Sequence, residues 1–177
     1  MHKNHEELQL LQKQGEACLT NVTDFLKTFI ANPISKIVRL EEELMFCKAY
    51  IEIQQLLFRN ALTYEIDLSL DITLEKFVPH FSIYTLLENA IRHNHFTEES
   101  PLKIIIVTEG DYLKVINNLH PQKSMESPTG QGLLNLAELY RLLSGDEIHI
   151  LQSKNYFTVH IKLFNNEAYP FEEAYIY

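Results

Sequence analysis

The segment IYTLLENAIRHN, Ile83 to Asn94, places an acid, an amide, a guanidinium and an imidazole within six residues. On a helix Glu88 and Arg92 share one flank, four residues apart, and Asn89 and His93 share the other. A side-chain oxygen on a rigid helix is a hard donor of the kind magnesium accepts while keeping several of its waters. Arg92 and His93 could hold phosphate oxygens, and Glu88 could take a proton from an attacking nucleophile. The same residues also read as a solvated helix edge with an i, i+4 ion pair, and this segment alone leaves both readings open.

A second candidate is TGQGLLN, Thr129 to Asn135. Gly130 and Gly132 at a helix start would expose backbone N–H groups and the positive helix end, a phosphate cradle. The stretch is neither a Walker A loop, which needs a following Lys-Ser/Thr, nor a GxGxxG dinucleotide fingerprint. Taken alone it is equally a flexible turn before an ordinary helix. His80, His93, His95, His120, His149 and His160 are scattered, and His93 and His95 do not share a helix face, so no metal pair is expected. Cys18 and Cys47 lack CxxC spacing and read as reduced, half-buried thiols. No Ser–His–Asp or Cys nucleophile arrangement is recognisable.

The bulk composition limits what these residues can serve. The chain has 177 residues, 46% hydrophobic and 22% charged, with 15 basic against 24 acidic side chains and a net charge of −9. An acidic chain is a poor general nucleic-acid surface, so no direct nucleic-acid partner is expected. No apolar run approaches the ~20 residues that span a bilayer, and no signal-peptide pattern opens the chain.

The elements that must position the candidates follow from periodicity. Glu6 to Phe29 predicts a helix, and Ala31 to Ser35, around Pro33, predicts a turn. LEEELMFCKAYIEIQQLLFRN predicts a second helix, with Glu41, Glu42 and Glu43 suited to the positive end of its own dipole. From Leu62 the period drops to two: LTYEIDLSL predicts a strand. The spacing of Ile83, Leu86, Leu87, Ala90 and Ile91 predicts a helix, with Pro79 near its start. LKIIIVTEGDYLKVINNL predicts a hairpin turning at Gly110. LLNLAELYRLLSG predicts a helix closed by Gly145, and DEIHILQSKNYFTVHIKLF two further strands around Ser153 to Asn155. This order predicts an α+β fold, with helices on one face of a mixed, mostly antiparallel sheet, rather than a doubly wound parallel one.

In their order the pieces resemble one family. VRLEEELMFCKAYIEIQQLLF, VPHFSIYTLLENAIRHN and GQGLLNLAELYRLL look like the corresponding stretches of sensor histidine kinases of the LytS/YehU type, over roughly Leu19 to Phe164. The resemblance implies the Bergerat ATP-binding fold shared by histidine kinases, gyrase and Hsp90. It implies a helical dimerisation region over 1–61, a catalytic domain over 62–164 and a tail over 165–177. By the same resemblance the cofactors are ATP and magnesium, with Asn89 the metal ligand, Glu88 the general base, and Arg92 and His93 near the phosphates. Gly130, Gly132, Leu133 and Asn135 would shape the lid and helix start over the nucleotide. Asn117 stands where the adenine-reading Asp of a DxGxG box is usual, and Thr158 matches the Thr of a GTxV strand.

Three departures from that pattern are visible. INNLHPQ replaces DxGxG, which puts nucleotide affinity in question, Phe157 replaces a glycine, and no Asn-Pro-His-Phe acceptor motif occurs, since Ile34 follows Asn32 and Pro33. The implied chain is therefore a fragment beginning just after the phosphoacceptor helix, cytoplasmic, from a parent anchored in the membrane upstream. It would be a homodimer through its leading helices, passing phosphoryl groups from an external histidine to a response regulator of the LytTR type. Two other readings compete: a degenerate, non-catalytic scaffold for a kinase or regulator, and an anti-sigma-type serine kinase, which the two leading helices disfavour.

Overall fold

The alternating stretches LKIIIVTE and YLKVINN form the centre of a five-stranded sheet in the computed structural model, which describes residues 37–120 and 131–165. In chain order the elements are β1 (Ile37–Arg39), α1 (Leu40–Phe58), a 3-10 turn (Arg59–Ala61), β2 (Leu62–Asp67), α2 (Leu70–Glu75), β3 (Lys76–Pro79) and α3 (Ser82–Arg92). They continue with β4 (Leu102–Glu109), β5 (Tyr112–Asn118), α4 (Gln131–Ser144), β6 (His149–Gln152), β7 (Tyr156–Lys162) and β8 (Phe164–Asn165). The main sheet has the order β2-β4-β5-β7-β6, with β2 parallel to β4 and every other pair antiparallel. The fold is α+β with a mixed, mostly antiparallel sheet, as the periodicity predicts.

Side chains alternate across each strand, so one face of the sheet collects the apolar set. Leu102, Ile104, Ile106, Leu113, Val115, Val159 and Ile161 are buried. They share one core with Leu44 and Ile51 of α1, Ile83 and Leu87 of α3, and Leu136 and Tyr140 of α4. Each fully buried aliphatic side chain contributes about 1.5–3 kcal/mol. The two predicted glycine positions hold: Gly110 turns the β4–β5 hairpin at φ +58°, and Gly145 closes α4 at φ +72°, its N–H reaching Arg141 O at 3.0 Å.

Several expectations change. A second, three-stranded sheet, β1-β3-β8, joins the leading region to the rest, with Val38 opposite Val78 and Phe77 opposite Phe164. Strands of two to four residues carry too little alternation to be seen in sequence. Residues 37–61 therefore share a core with 62–165, and Asn165, expected in the tail, is strand. Pro79 ends β3 rather than opening a helix, and α3 starts at Ser82 after Phe81 at φ +67°. The predicted strand from Leu62 stops at Asp67, and the short helix α2 follows, its Ser69 Oγ accepting from Ile72 N. Cys47 is wholly buried rather than half-buried; burial pushes its thiol well up, helped by the charge of Glu43. The predicted helix over Glu6 to Phe29 and its turn, Cys18, Gly130 and the tail from 166 lie outside the described residues.

Candidate functional site

Helix α3 buries Ile83, Leu86, Leu87, Ala90 and Ile91, so its other flanks carry the chemistry. Its first turn is held by a residue from a different helix. Glu43 of α1, fully buried, accepts from Phe81 N at 2.9 Å, Ile83 N at 3.0 Å and Tyr84 N at 3.3 Å, and its Oε2 lies 3.0 Å from His80 Nδ1. Glu43 therefore serves the positive end of α3 rather than that of its own helix. A carboxylate accepting several backbone N–H groups offsets the cost of its own burial.

Along α3 the candidate residues are half-buried or exposed. Glu88 and Arg92 form the i, i+4 pair at 3.4 Å, with side chains 38% and 70% exposed. Asn89 is half-buried on the adjoining flank, one turn after Thr85. His93 is held below the usual imidazole value, first by burial and then by the Arg92 charge. Burial, with the nearby Glu88 carboxylate adding to it, also raises the Tyr84 hydroxyl.

The end of α3 is strapped to the end of β5. Asn94, buried, donates through Nδ2 to Ala90 O at 2.8 Å and accepts from His120 N at 2.7 Å, while His95 N donates to His120 O at 2.7 Å. Asn118 accepts from Lys103 N at 2.7 Å and donates to Pro101 O at 2.9 Å, and its amide nitrogen lies 3.0 Å from His120 Nε2. Asn118 and His120 are thus locked by side-chain bonds on either side of Leu119, where the family pattern would put a glycine. Sequence reasoning missed Glu43, Asn118 and His120 as organisers; their partners lie 15 to 41 residues away and leave no local spacing to read.

Asn117 is 3% exposed and faces the helices. Its Nδ2 donates to Asn118 O at 2.7 Å, which orients the amide and leaves Oδ1 as the acceptor. Phe157 is its direct partner on β7 and therefore lies on the same face. Thr158 pairs with Ile116 and Leu151 and points to the opposite face, so the structure does not bring it to Asn117.

The start of α4 comes to α3 from the other side. Gly132 is its second residue, and a Cβ there would sit 3.4 Å from Thr85 Cγ2, one turn before Asn89. Leu133 packs against the core, and exposed Asn135 accepts from Gln131 Nε2 at 2.9 Å. Asn89, the strapped end of β5 bearing Asn117, and the glycine at the start of α4 are thus gathered around one helix. The amide oxygen of Asn89 on a rigid helix suits magnesium, and no cluster of three or more His, Cys, Asp or Glu that could hold a metal by itself occurs among the described residues. No described helix is long and apolar enough to cross a membrane.

No family model matches the chain. In sequence it is similar to the sensor protein LytS of Streptococcus mutans, 25% identical over 154 residues, covering 78% of this chain and 26% of that protein. The chain therefore spans about a quarter of the length of this curated relative. Among solved structures, the histidine kinase AdeS of Acinetobacter baumannii matches with a TM-score of 0.48 and 17% identity, covering 90% of this chain and 82% of that one. The catalytic domain of histidine kinase ThkA, in a nucleotide-free form, matches with a TM-score of 0.47 and 14% identity, covering 72% and 94%. The likeness to sensor histidine kinases of the LytS type, first carried by ENAIRHN and GQGLLN, extends along most of this chain.

Proposed function

We propose that this chain is the ATP-binding, catalytic part of a two-component sensor histidine kinase. The observation that carries the reading is the convergence on α3: Asn89 and Glu88 on its accessible flanks, Asn117 at the β5 end tied to it through Asn94 and His120, and Gly132 against Thr85. Adenine would lie toward Asn117, whose Oδ1 accepts from the base amino group, and the phosphates toward Arg92, His93 and Gly132 at the start of α4. Asn89 would hold magnesium, which offsets the charge of the phosphates.

Catalysis here is positioning and charge stabilisation. A ring nitrogen of a histidine outside this chain attacks the γ-phosphorus, the bond to the bridging oxygen breaks, and ADP leaves as the P–N bond forms. Glu88 accepts the hydrogen bond of the acceptor's other ring N–H and takes that proton as the bond forms. Arg92 swings from Glu88 to the phosphates, and His93 adds a hydrogen bond. The phosphoryl group then passes to an aspartate of a response regulator, of the LytTR type. Homodimerisation would fall to residues 1–36, since 37–61 share the core of 62–165, and the chain would face the cytoplasm below a membrane-anchored parent.

One feature favours a second reading, a degenerate scaffold without catalysis: Phe157 faces Asn117 where a small residue would leave room for a base. The test is labelling with γ-radiolabelled ATP and magnesium, with a histidine-bearing dimerisation fragment of a LytS-type kinase as acceptor. Acid-labile label on that fragment, absent with Glu88→Gln, supports the kinase. No label, together with retained binding to the fragment, supports the scaffold.

A further inference from the structure

Strand β6 is the last strand of the main sheet, and one of its edges has no neighbour among the described strands. All four of its residues, His149 to Gln152, are exposed. The turn into β7 sets which backbone groups face the open edge. Ser153 N donates to Tyr156 O at 2.9 Å, which makes these two a hydrogen-bonded pair. Such pairs alternate along an antiparallel ladder, so His149 and Leu151, opposite His160 and Thr158, turn their N–H and C=O groups to β7. Ile150 and Gln152 turn theirs outward, where no described residue meets them.

This edge is not blunted by its side chains. β6 contains no proline, lysine or carboxylate, and it carries Ile150 and Leu151, 47% and 58% exposed, one on each face. The opposite edge, β2, carries exposed Glu65 and Asp67, and Gln55 Nε2 donates to its Leu62 O at 3.2 Å. Bare N–H and C=O groups in a row pair best with another extended strand.

The charges around β6 select which strand. Asp146 and Glu147 precede it and Lys154 follows it. Asp146 is held by Lys162, whereas Glu147 and Lys154 are exposed and form no ion pair among the described residues. A parallel mate of the same sequence would set acid against acid. An antiparallel mate sets acid against lysine at both ends, so the segment complements its own reverse. Two-fold symmetry puts one residue opposite its own copy. With Ile150 at the axis, the outward groups of Ile150 meet those of the partner's Ile150, and Glu147 comes beside the partner's Lys154.

We infer that β6 is a self-association edge, through which two copies of this chain pair antiparallel with Ile150 facing the partner's Ile150 and join their five-stranded sheets. The pairing uses the open edge of both copies, so it stops at two. It is separate from the homodimerisation proposed for residues 1–36 and does not depend on phosphoryl transfer.

The test is residue-resolved amide hydrogen exchange by NMR on the whole chain at millimolar concentration, with Gln152→Pro, Lys154→Glu and the swap Glu147→Lys/Lys154→Glu. The Ile150 and Gln152 amides should exchange at least about threefold more slowly in the unsubstituted chain than in Lys154→Glu. The charge swap should restore that protection. Gln152→Pro should remove it at Ile150, while the His149 and Leu151 amides stay protected by β7 in every variant. In a mixture of isotope-labelled and unlabelled chains, Ile150 should show contacts between chains. Unprotected Ile150 and Gln152 amides in the unsubstituted chain, or protection indifferent to Lys154→Glu, would overturn the inference. Protection without contacts between chains would also overturn it, by placing a segment of the same chain on the edge.

Discussion

Glu43 Oε2 lies 3.0 Å from His80 Nδ1, and both side chains are buried, so a carboxylate of α1 sits on the first turn of α3. One side chain thus joins the helix that follows the leading region to the helix that carries Asn89. Removing it would leave the N–H groups of Phe81, Ile83 and Tyr84 and the ring of His80 without their acceptor. Glu43→Ala is expected to cost about 3–5 kcal/mol. Glu43→Gln keeps one oxygen but turns an NH2 toward backbone donors, and about 1–3 kcal/mol is expected. Urea unfolding with unchanged slope checks both values; a Glu43→Ala loss below 1 kcal/mol would contradict the assigned role.

Asn94 makes the corresponding strap at the other end of α3. Asn94→Ala removes the acceptor of His120 N and the donor to Ala90 O, and about 1–3 kcal/mol of stability is expected to go with them. Because Asn94 positions the helix against the Asn117 end of β5, nucleotide affinity should fall as well. Unchanged affinity in a variant shown to be destabilised would separate the strap from the site.

Asn117→Asp, which restores the acid of the family pattern, is expected not to behave as a simple restoration. Nδ2 of Asn117 donates to Asn118 O at 2.7 Å, and a buried carboxylate there would face that oxygen instead. The free protein should lose about 1–3 kcal/mol. Thermal melting with and without Mg–ATP reads both effects; equal or greater stability of the free variant would count against this orientation of the amide.

His93 gives a pH signature. Its folded pKa lies below the ordinary 6.5, so the folded chain binds this proton less readily than the unfolded chain. Stability from this group is fully present above about 6.5 and is lost as pH falls through that value toward the folded pKa. His160, lowered by burial and by Lys114, acts in the same direction. Imidazole NMR titration should place the His93 midpoint below 6.5, and His93→Gln should make the acid-side decline in stability shallower. A midpoint at or above 6.5 would contradict the described surroundings.

The parts of this architecture that were legible in sequence are those with long periods. The stripe from Ile83 to Ile91, the alternation in β4, β5 and β7, and the glycines at 110 and 145 each predict an element that is present. What was not legible depends on distant partners. Nothing near Glu43 says that it will cap a helix about forty residues on, and β1, β3 and β8 are too short for a pattern. At the site, the motif order picks out α3 and the start of α4, while the face of each β7 side chain needs the register that pairs Asn117 with Phe157 rather than with Thr158.

A nucleotide site on α3 is tested by calorimetric titration of the chain with a non-hydrolysable Mg–ATP analogue, beside Asn89→Ala and the same titration without magnesium. An ATP site on α3 predicts one site per chain, weakened at least about tenfold by Asn89→Ala and by removal of magnesium. No binding at millimolar nucleotide, or binding indifferent to both changes, would contradict an ATP site on α3.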